Sequence, residues 1–184
     1  MATFGTKALV MTKQDVDIFL HPGDWYFGDK HHKVRTLLGS CVSITLWHPK
    51  AKIGGMCHYL LARRTDRRAS TLSGRYGDEA MLLMLHEVLN SGLPLQEFHA
   101  KLVGGAAVLA GIERDQPHDV PSRNIDMAYQ LVKQLGLSVH AEDLGGNSPR
   151  LVMFDLATGD VWVKQTQDAD MNKISAHHKA RTRA

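Results

Sequence analysis

The sequence predicts a single domain of the α/β (α+β) class: a mixed β-sheet sandwich with helices packed on it. The 184 residues are 43% hydrophobic and 22% charged, a composition typical of one globular domain. Short apolar runs between glycine, proline and asparagine turns recur along the chain, and they indicate many strands. Two longer segments have apolar residues at helical spacing. Many strands combined with two helices favour helices packed on a sheet.

The strands before the first predicted helix share short apolar runs that end at turn residues. They are predicted at 15–19 (DVDIF), 24–28 (DWYFG), 34–38 (VRTLL), 42–47 (VSITLW) and 53–61 (IGGMCHYLL). The segment HPKAK, 48–52, separates the last two strands and predicts a β-hairpin. A polar loop over 63–77 follows this hairpin.

The clearest helix is predicted over 78–92, where Asp78 and Glu79 suit the positive N-terminus and Gly92 suits a C-terminal cap. A second helix is predicted over 123–136, ending at Gly136. The residues expected on the buried faces are Met81, Leu82, Leu85, Val88 and Leu89 in the first helix, and Ile125, Ala128, Leu131, Val132 and Leu135 in the second. The remaining strands are predicted at 98–109, 137–144, 150–156 and 160–164.

The net charge of +3 and the pI of about 8.9 are too small to favour nucleic acid as a partner. Residues 1–165 are predicted to form the domain, and 166–184 to form a basic, mobile tail. The tail could attract an acidic partner or could be only a solvated terminus. No apolar run has the roughly 20 residues of a membrane span, and no signal peptide is indicated. With two cysteines, a reducing cytoplasm is the expected location.

Cys41 lies in the GSC bend before a predicted strand, and His58 lies on the strand that pairs with it. A four-residue loop over 48–51, or a two-residue turn over 49–50, places the two residues directly opposite each other. A loop of three or five residues moves His58 to the other face. Cys41 alternates with the apolar positions of its strand and therefore belongs to the more polar face.

A cysteine beside a histidine is suited to nucleophilic catalysis, because an imidazole can lower the pKa of the thiol and accept its proton. Backbone N–H groups of the bend at Gly39 and Ser40 could then stabilise an oxyanion. The alternative is that Cys41 is a packed small residue beside a hydrogen-bonded histidine. Cys57 is expected to be structural, because consecutive side chains of a strand point to opposite faces.

Other polar patterns are weaker. The pairs 31–32 and 177–178 are the adjacent histidines among eleven in the chain, yet they lack metal-site spacing, so no metal and no cofactor are expected. Gly104 and Gly105 suit close backbone packing and could also border a substrate cleft. Asp143 and Arg150 are expected to form a structural ion pair, with contact to a protein substrate as the alternative.

The segment TLLGSCVSITLWHPKAKIGGMCHYLLARR (36–64) resembles the signature of CheD-type chemoreceptor glutamine deamidases. Further matches in the same order are GRYGDEAMLLML, AKLVGGAAVL, RNIDMAYQLVKQLG and DLGGNSPRLVMFDLATGDVWVK. The resemblance implies that Cys41 is the nucleophile and that His58, 17 positions later, is its base. It also implies a catalytic threonine, for which Thr36 is the candidate. In some members this threonine lies one residue further from the cysteine, where this chain has Arg35.

The resemblance implies a fold similar to the catalytic domain of the deamidating cytotoxic necrotizing factor toxins. The implied activity is that of a protein-glutamine glutaminase, which converts glutamine side chains of methyl-accepting chemotaxis receptors to glutamate, through a cysteine thioester and with release of ammonia. Binding to a CheC-type phosphatase is implied by several members. Two alternatives are a non-catalytic adaptor that binds receptors or the phosphatase, and a cysteine peptidase.

Overall fold

Nine strands, two α-helices and one short 3₁₀ turn form the part of the chain that this computed structural model describes, namely residues 16–66, 70–107 and 119–166. The strands are β1 (Val16–Leu20), β2 (Trp25–Asp29), β3 (His32–Leu38), β4 (Val42–His48), β5 (Ile53–Cys57), β6 (His99–Gly104), β7 (Ser138–Leu144), β8 (Arg150–Asp155) and β9 (Val161–Gln165). The helices are α1 (Gly77–Asn90) and α2 (Val120–Gln134), and the 3₁₀ turn is Leu95–Glu97. The predicted strands and helices are therefore all present, with shifted ends.

The strands form two mixed sheets, which confirms the predicted α+β sandwich. One sheet has the order β2-β5-β4-β6-β7 and the other has the order β1-β3-β8-β9. The pairs β1–β3 and β6–β7 are parallel and the remaining neighbours are antiparallel. The HPG turn joins β1 to β2, which lie in different sheets. This turn therefore carries the chain from one sheet to the other.

The two cores lie on opposite faces of the five-stranded sheet. Val42, Ile44 and Leu46 of β4 pack with apolar residues of α1 and α2. Cys41 packs into the second core, which contains Phe154 and other residues of the four-stranded sheet. Both faces of β4 are thus buried. The alternation of apolar and small polar residues in this strand separates two cores instead of separating core from solvent.

The predicted β4–β5 hairpin is confirmed, and its register is not the one that would place Cys41 directly opposite His58. His48 pairs with Ile53 and Thr45 pairs with Met56, so the loop covers 49–52. The same register continues to the bridge between Val42 and Tyr59, which puts Ser43 opposite His58. Cys41 and His58 are therefore not directly opposite each other, an arrangement that the sequence permitted but did not require. Because the shift is by two positions in the index sum, both residues still project from the same face.

The buried face of α1 is rotated from the predicted one. Ala80, Met81, Met84 and Val88 are its buried apolar residues, whereas Leu82 and Leu89 are 51% and 77% exposed. The prediction was wrong for these two leucines because α1 covers the sheet with one narrow face, and the apolar residues of its sequence extend beyond that face. Gly92 has a φ of +72° just after the helix, as the predicted C-terminal cap requires.

Helix α2 begins three residues before the predicted start. Asp119 caps it, since the Asp119 Oδ1 accepts a hydrogen bond of 3.0 Å from the Ser122 N–H. The helix ends before Gly136, whose φ of +63° confirms the predicted stop. In the described parts of the chain, neither helix is long and apolar enough to cross a membrane.

Thr166, the first residue after the predicted domain boundary, contacts the domain. The Thr166 N–H donates a 2.8 Å hydrogen bond to the Pro149 carbonyl oxygen, and Thr166 is buried. Residues 167–184 lie outside the described residues, and the mobile tail stays a prediction.

If residues 167–184 form the mobile tail that the sequence predicts, truncation after Thr166 should leave the thermal midpoint unchanged to within about 2 °C, because a mobile tail adds no packing. Thermal unfolding followed by circular dichroism measures this midpoint. Truncation after Lys164 is the matched comparison and should lower it, since the contact with Pro149 is lost. A fall of more than about 5 °C for the first truncation would show that the tail packs on the domain.

Candidate active site

The bend that carries Cys41 is held by its carbonyl oxygens. The Gly39 carbonyl accepts a 2.9 Å hydrogen bond from the Ala106 N–H, and the Cys41 carbonyl accepts one of 2.8 Å from the Gly105 N–H. Between them, the Ser40 carbonyl accepts a 3.1 Å hydrogen bond from the Asn124 side-chain amide. Three successive carbonyls are therefore fixed by the end of β6 and by α2.

Fixed carbonyls also fix the direction of the N–H groups that follow them. The peptide bonds of the described residues are trans, so each N–H points away from the carbonyl of the same peptide plane. The N–H groups of Ser40 and Cys41 consequently point away from Ala106 and Asn124. No backbone carbonyl of the described residues accepts a hydrogen bond from either group. Both can donate to an oxyanion formed next to the thiol.

His58 follows β5 and is held by the turn that links the two sheets. The His58 N–H donates to the Asp24 carbonyl at 2.9 Å, and the His58 carbonyl accepts from the Gly23 N–H at 2.7 Å. The imidazole is only 1% exposed. It projects into the space between the sheets, from the same face as Cys41.

Thr36 of β3 lies against this imidazole. The Thr36 Oγ1 is 2.7 Å from the His58 Nδ1 and 2.8 Å from the Leu20 carbonyl oxygen. A hydroxyl has one proton, and a carbonyl can only accept. The Thr36 hydroxyl therefore donates to Leu20 and accepts a hydrogen bond from the protonated Nδ1 of His58. This arrangement leaves the Nε2 unprotonated, as a general base requires.

The Nε2 of His58 is buried and has no hydrogen-bond partner among the described residues. A buried polar atom without a partner is costly and needs an explanation. In an active site, the explanation is a reacting group that occupies the partner's position during turnover. The unprotonated Nε2 projects from the same face as the Cys41 thiol, but no hydrogen bond joins the two residues in this structure.

Burial determines the protonation of both groups. It raises the pKa of Cys41 to about 11, with the Cys41 N–H and the Ser40 side chain opposing the rise. It lowers the pKa of His58 to about 4, with the Leu20 carbonyl opposing the fall. The expected lowering of the thiol pKa is therefore not found, because the imidazole is neutral and not hydrogen-bonded to sulfur. At neutral pH the site holds a thiol and a neutral imidazole.

Cys57 has a different environment. It is fully buried on the helix side of the five-stranded sheet, and its thiol donates a 3.7 Å hydrogen bond to the Ile44 carbonyl. Burial raises the pKa of Cys57 to about 12. These contacts confirm the prediction that Cys57 is a packed residue on the face opposite His58.

Gly104 and Gly105 support the cysteine bend. A Cβ on Gly104 would clash with the Cys41 carbonyl oxygen, and one on Gly105 would lie 2.6 Å from the Ile125 Cγ1. Both glycines have positive φ, +119° and +69°, a conformation that favours glycine. Both are buried. Close packing thus accounts for them, and their contact with substrate stays a prediction.

Asn124 is the residue of this site that the sequence did not indicate. Its side chain is fully buried, and its Nδ2 donates to the Leu60 carbonyl at 2.8 Å as well as to Ser40. Its position in the sequence indicates burial, because Asn124, Ala128 and Leu131 are spaced so that they lie on one face of a helix. A polar residue on a buried face is the pattern that points to such a role.

The other polar features are structural. Arg150 confirms the predicted ion pair, with its Nη2 and Nε 2.8 and 3.0 Å from the Asp143 Oδ1, and its Nη2 also donates to the Gly145 carbonyl at 2.7 Å. Within 16–66, 70–107 and 119–166, no three His, Cys, Asp or Glu side chains are grouped to hold a metal ion. The histidine pair 177–178 lies outside these residues.

A cysteine at a rigid bend, near a histidine whose tautomer is set by a threonine, is typical of proteins with a thiol nucleophile. Residues 60–165 match the family described as CheD chemotactic sensory transduction. The chain is 67% identical over 156 residues to the probable chemoreceptor glutamine deamidase CheD 1 of Chromobacterium violaceum, covering 85% of this chain and 81% of that protein. This chain belongs to the CheD family, as its signature segments indicate.

Two further relatives are similar over most of their length. The probable chemoreceptor glutamine deamidase CheD 3 of Dechloromonas aromatica is 43% identical over 161 residues, covering 88% of this chain and 94% of that protein. The probable chemoreceptor glutamine deamidase CheD of Pseudomonas syringae pv. syringae is 40% identical over 168 residues, covering 90% of this chain and 94% of that protein. The family match begins after Thr36, Cys41 and His58. However, the 156-residue alignment leaves only 28 of 184 residues outside, so it includes Thr36, Cys41 and His58.

The low pKa of His58 predicts a stability change with pH. The unfolded chain binds a proton near the ordinary pKa of 6.5 and the folded protein only near 4, so folding becomes less favourable as pH falls through this window. The resulting decrease in the free energy of unfolding approaches about 3 kcal/mol. Urea unfolding at pH 7 and pH 4.5 should show a smaller loss for His58→Gln than for the wild type. His86→Gln, at an exposed site on α1, should follow the wild type; equal losses in all three proteins would contradict the prediction.

Proposed function

We propose that this protein deamidates glutamine side chains of chemoreceptors, forming glutamate and ammonia through a thioester on Cys41. The CheD relatives that it matches over most of its length are named as probable chemoreceptor glutamine deamidases, which supports this substrate. The observation that carries the proposal is the unpartnered, unprotonated Nε2 of His58, held by Thr36 and facing the same space as Cys41. The two free thiols fit a cytoplasmic location.

The first half of the reaction acylates the cysteine. The Cys41 sulfur attacks the carboxamide carbon while the Nε2 of His58 takes the thiol proton. The carbonyl oxygen becomes an oxyanion that accepts hydrogen bonds from the N–H groups of Ser40 and Cys41. The imidazolium then protonates the amide nitrogen and the C–N bond breaks. Ammonia departs, and the acyl group remains on Cys41 as a thioester.

The second half hydrolyses the thioester. The Nε2 of His58 removes a proton from water, whose oxygen attacks the thioester carbon. The C–S bond breaks, and the thiolate of Cys41 recovers the proton from the imidazolium. The net change is amide plus water to carboxylic acid plus ammonia, with the protein unchanged.

The pKa values of the site favour proton transfer during the attack. A pKa of about 11 for Cys41 and of about 4 for His58 both oppose a thiolate–imidazolium pair in the resting protein. The thiolate therefore forms as its bond to carbon forms, with the oxyanion stabilised at the same time. Ground-state burial of the thiol in this site keeps it protonated until substrate is bound.

Neither alternative has a specific observation in its favour. A non-catalytic adaptor gives no reason for an unpartnered Nε2 at a buried position. A cysteine peptidase would use the same acylation chemistry on a backbone amide, and only the names of the relatives argue against it. Binding of a CheC-type phosphatase stays a prediction.

The two cysteines give the direct test of the proposal. Purified protein is incubated with the cytoplasmic fragment of a chemoreceptor from the same organism, and gains of about 1 Da per converted glutamine are mapped by mass spectrometry. Cys41→Ser should abolish these gains. Cys57→Ser is the matched control and should keep most of the activity, because Cys57 faces the helix-side core. Deamidation by Cys41→Ser, or loss of it in Cys57→Ser alone, contradicts the proposal.

Thr36→Val tests the hydrogen bond to His58 with little change of shape. Without the hydroxyl, the Nδ1 proton loses its acceptor and the imidazole loses its fixed tautomer, so kcat should fall about 10²-fold. Steady-state kinetics on the receptor fragment measure the change. Thr45→Val is the control, since Thr45 is an equally buried strand threonine. Wild-type kcat in Thr36→Val would leave a mechanism of two residues.

A further inference from the structure

Asn124 connects the segment before the nucleophile to the segment after the base. Its Nδ2 donates to the Ser40 carbonyl at 3.1 Å and to the Leu60 carbonyl at 2.8 Å. Ser40 precedes Cys41 directly, and Leu60 follows His58 by two residues. Both N–H groups of this one buried amide are therefore used, and they attach the residue before β4 and the segment after β5 to the same position of α2.

The contacts settle the orientation of this amide. Carbonyl oxygens can only accept hydrogen bonds, so the Nδ2, and not the Oδ1, faces Ser40 and Leu60. The main chain of Asn124 is held as well, because the Tyr59 hydroxyl donates a 2.6 Å hydrogen bond to the Asn124 carbonyl. Tyr59 is fully buried and exchanges two backbone hydrogen bonds with Val42. The side-chain amide thus has a rigid base.

The Oδ1 of Asn124 is buried and has no hydrogen-bond partner within the described residues. An unsatisfied buried oxygen destabilises the fold, so packing alone would favour an apolar residue here. The two donated hydrogen bonds are what an apolar residue of similar size could not supply. An aspartate could not supply them either, since its carboxylate would face two carbonyl oxygens.

We propose that Asn124 is a positioning residue for deamidation, which holds the Ser40–Cys41 peptide so that the Cys41 N–H points at the oxyanion of the reacting amide. The inference rests on the proposed function. Fixing the Ser40 carbonyl fixes the N–H of the same peptide plane on the opposite side. Asn124 contacts neither the thiol nor the imidazole through a hydrogen bond, so it acts on the reaction through the bend.

Two reactions of Cys41 separate this role from general support of the fold. Deamidation forms an oxyanion and needs the aimed N–H. Alkylation by iodoacetamide displaces iodide at a tetrahedral carbon and forms no oxyanion. In Asn124→Asp, kcat on the receptor fragment should fall about 10²-fold, with KM and the rate of Cys41 alkylation within about threefold of the wild type. Gln130→Glu makes the same chemical change at an exposed position of α2 and should keep the wild-type kcat.

The outcomes are distinguishable. Wild-type kcat in Asn124→Asp would overturn the inference, and so would parallel losses of deamidation and alkylation, which indicate a general disturbance. If circular dichroism shows that Asn124→Asp does not fold, Asn124→Ser is judged by the same criteria, because it removes the bridge without burying a charge. A wild-type protein that does not deamidate the fragment would contradict the proposed function and the inference together.

Discussion

The hydrogen bond between Thr36 and His58 is the constraint on which the site depends. It joins β3 of the four-stranded sheet to the residue after β5 of the five-stranded sheet. The Thr36 hydroxyl donates its hydrogen bond to the Leu20 carbonyl. It therefore accepts a hydrogen bond from the protonated Nδ1 of His58, and the Nε2 carries no proton. This contact depends on how the two sheets dock, so the proposed base, His58, has its Nδ1 paired with Thr36 only in the complete sandwich.

The proposed nucleophile, Cys41, is held by hydrogen bonds to the carbonyl oxygens of its bend. The donors are the N–H groups of Gly105 and Ala106, which follow β6, and the Asn124 side chain of α2, so the backbone around Cys41 is rigid where the proposed reaction develops charge. Rigid donors stabilise such charge without reorganising. Burial keeps the thiol and the imidazole neutral. In the proposed reaction, the fixed N–H donors stabilise negative charge only once an oxyanion has formed.

Local patterns predicted the elements well, and distances between elements poorly. Strand alternation and helical spacing identified each strand and both helices, since these signals lie within a few residues. The sequence left the hairpin register open, and the observed loop over 49–52 has the same length as a loop over 48–51 but is displaced by one residue. The contact of Thr36 with His58 depends on the docking of two sheets, which no local pattern encodes. Asn124 escaped notice because a polar helical residue is ordinarily read as solvent-facing, and the raised pKa of Cys41 follows from burial that composition does not show.

The protonated resting thiol also bears on chemical durability. Peroxide and related oxidants react with thiolates, and low-pKa cysteines are the ones that proceed to sulfenic and sulfinic acids. With a pKa of about 11, Cys41 presents almost no thiolate at neutral pH. A buried, protonated thiol reacts with such oxidants more slowly than an exposed thiolate does, so this site is expected to stay reduced longer than one with a preformed thiolate.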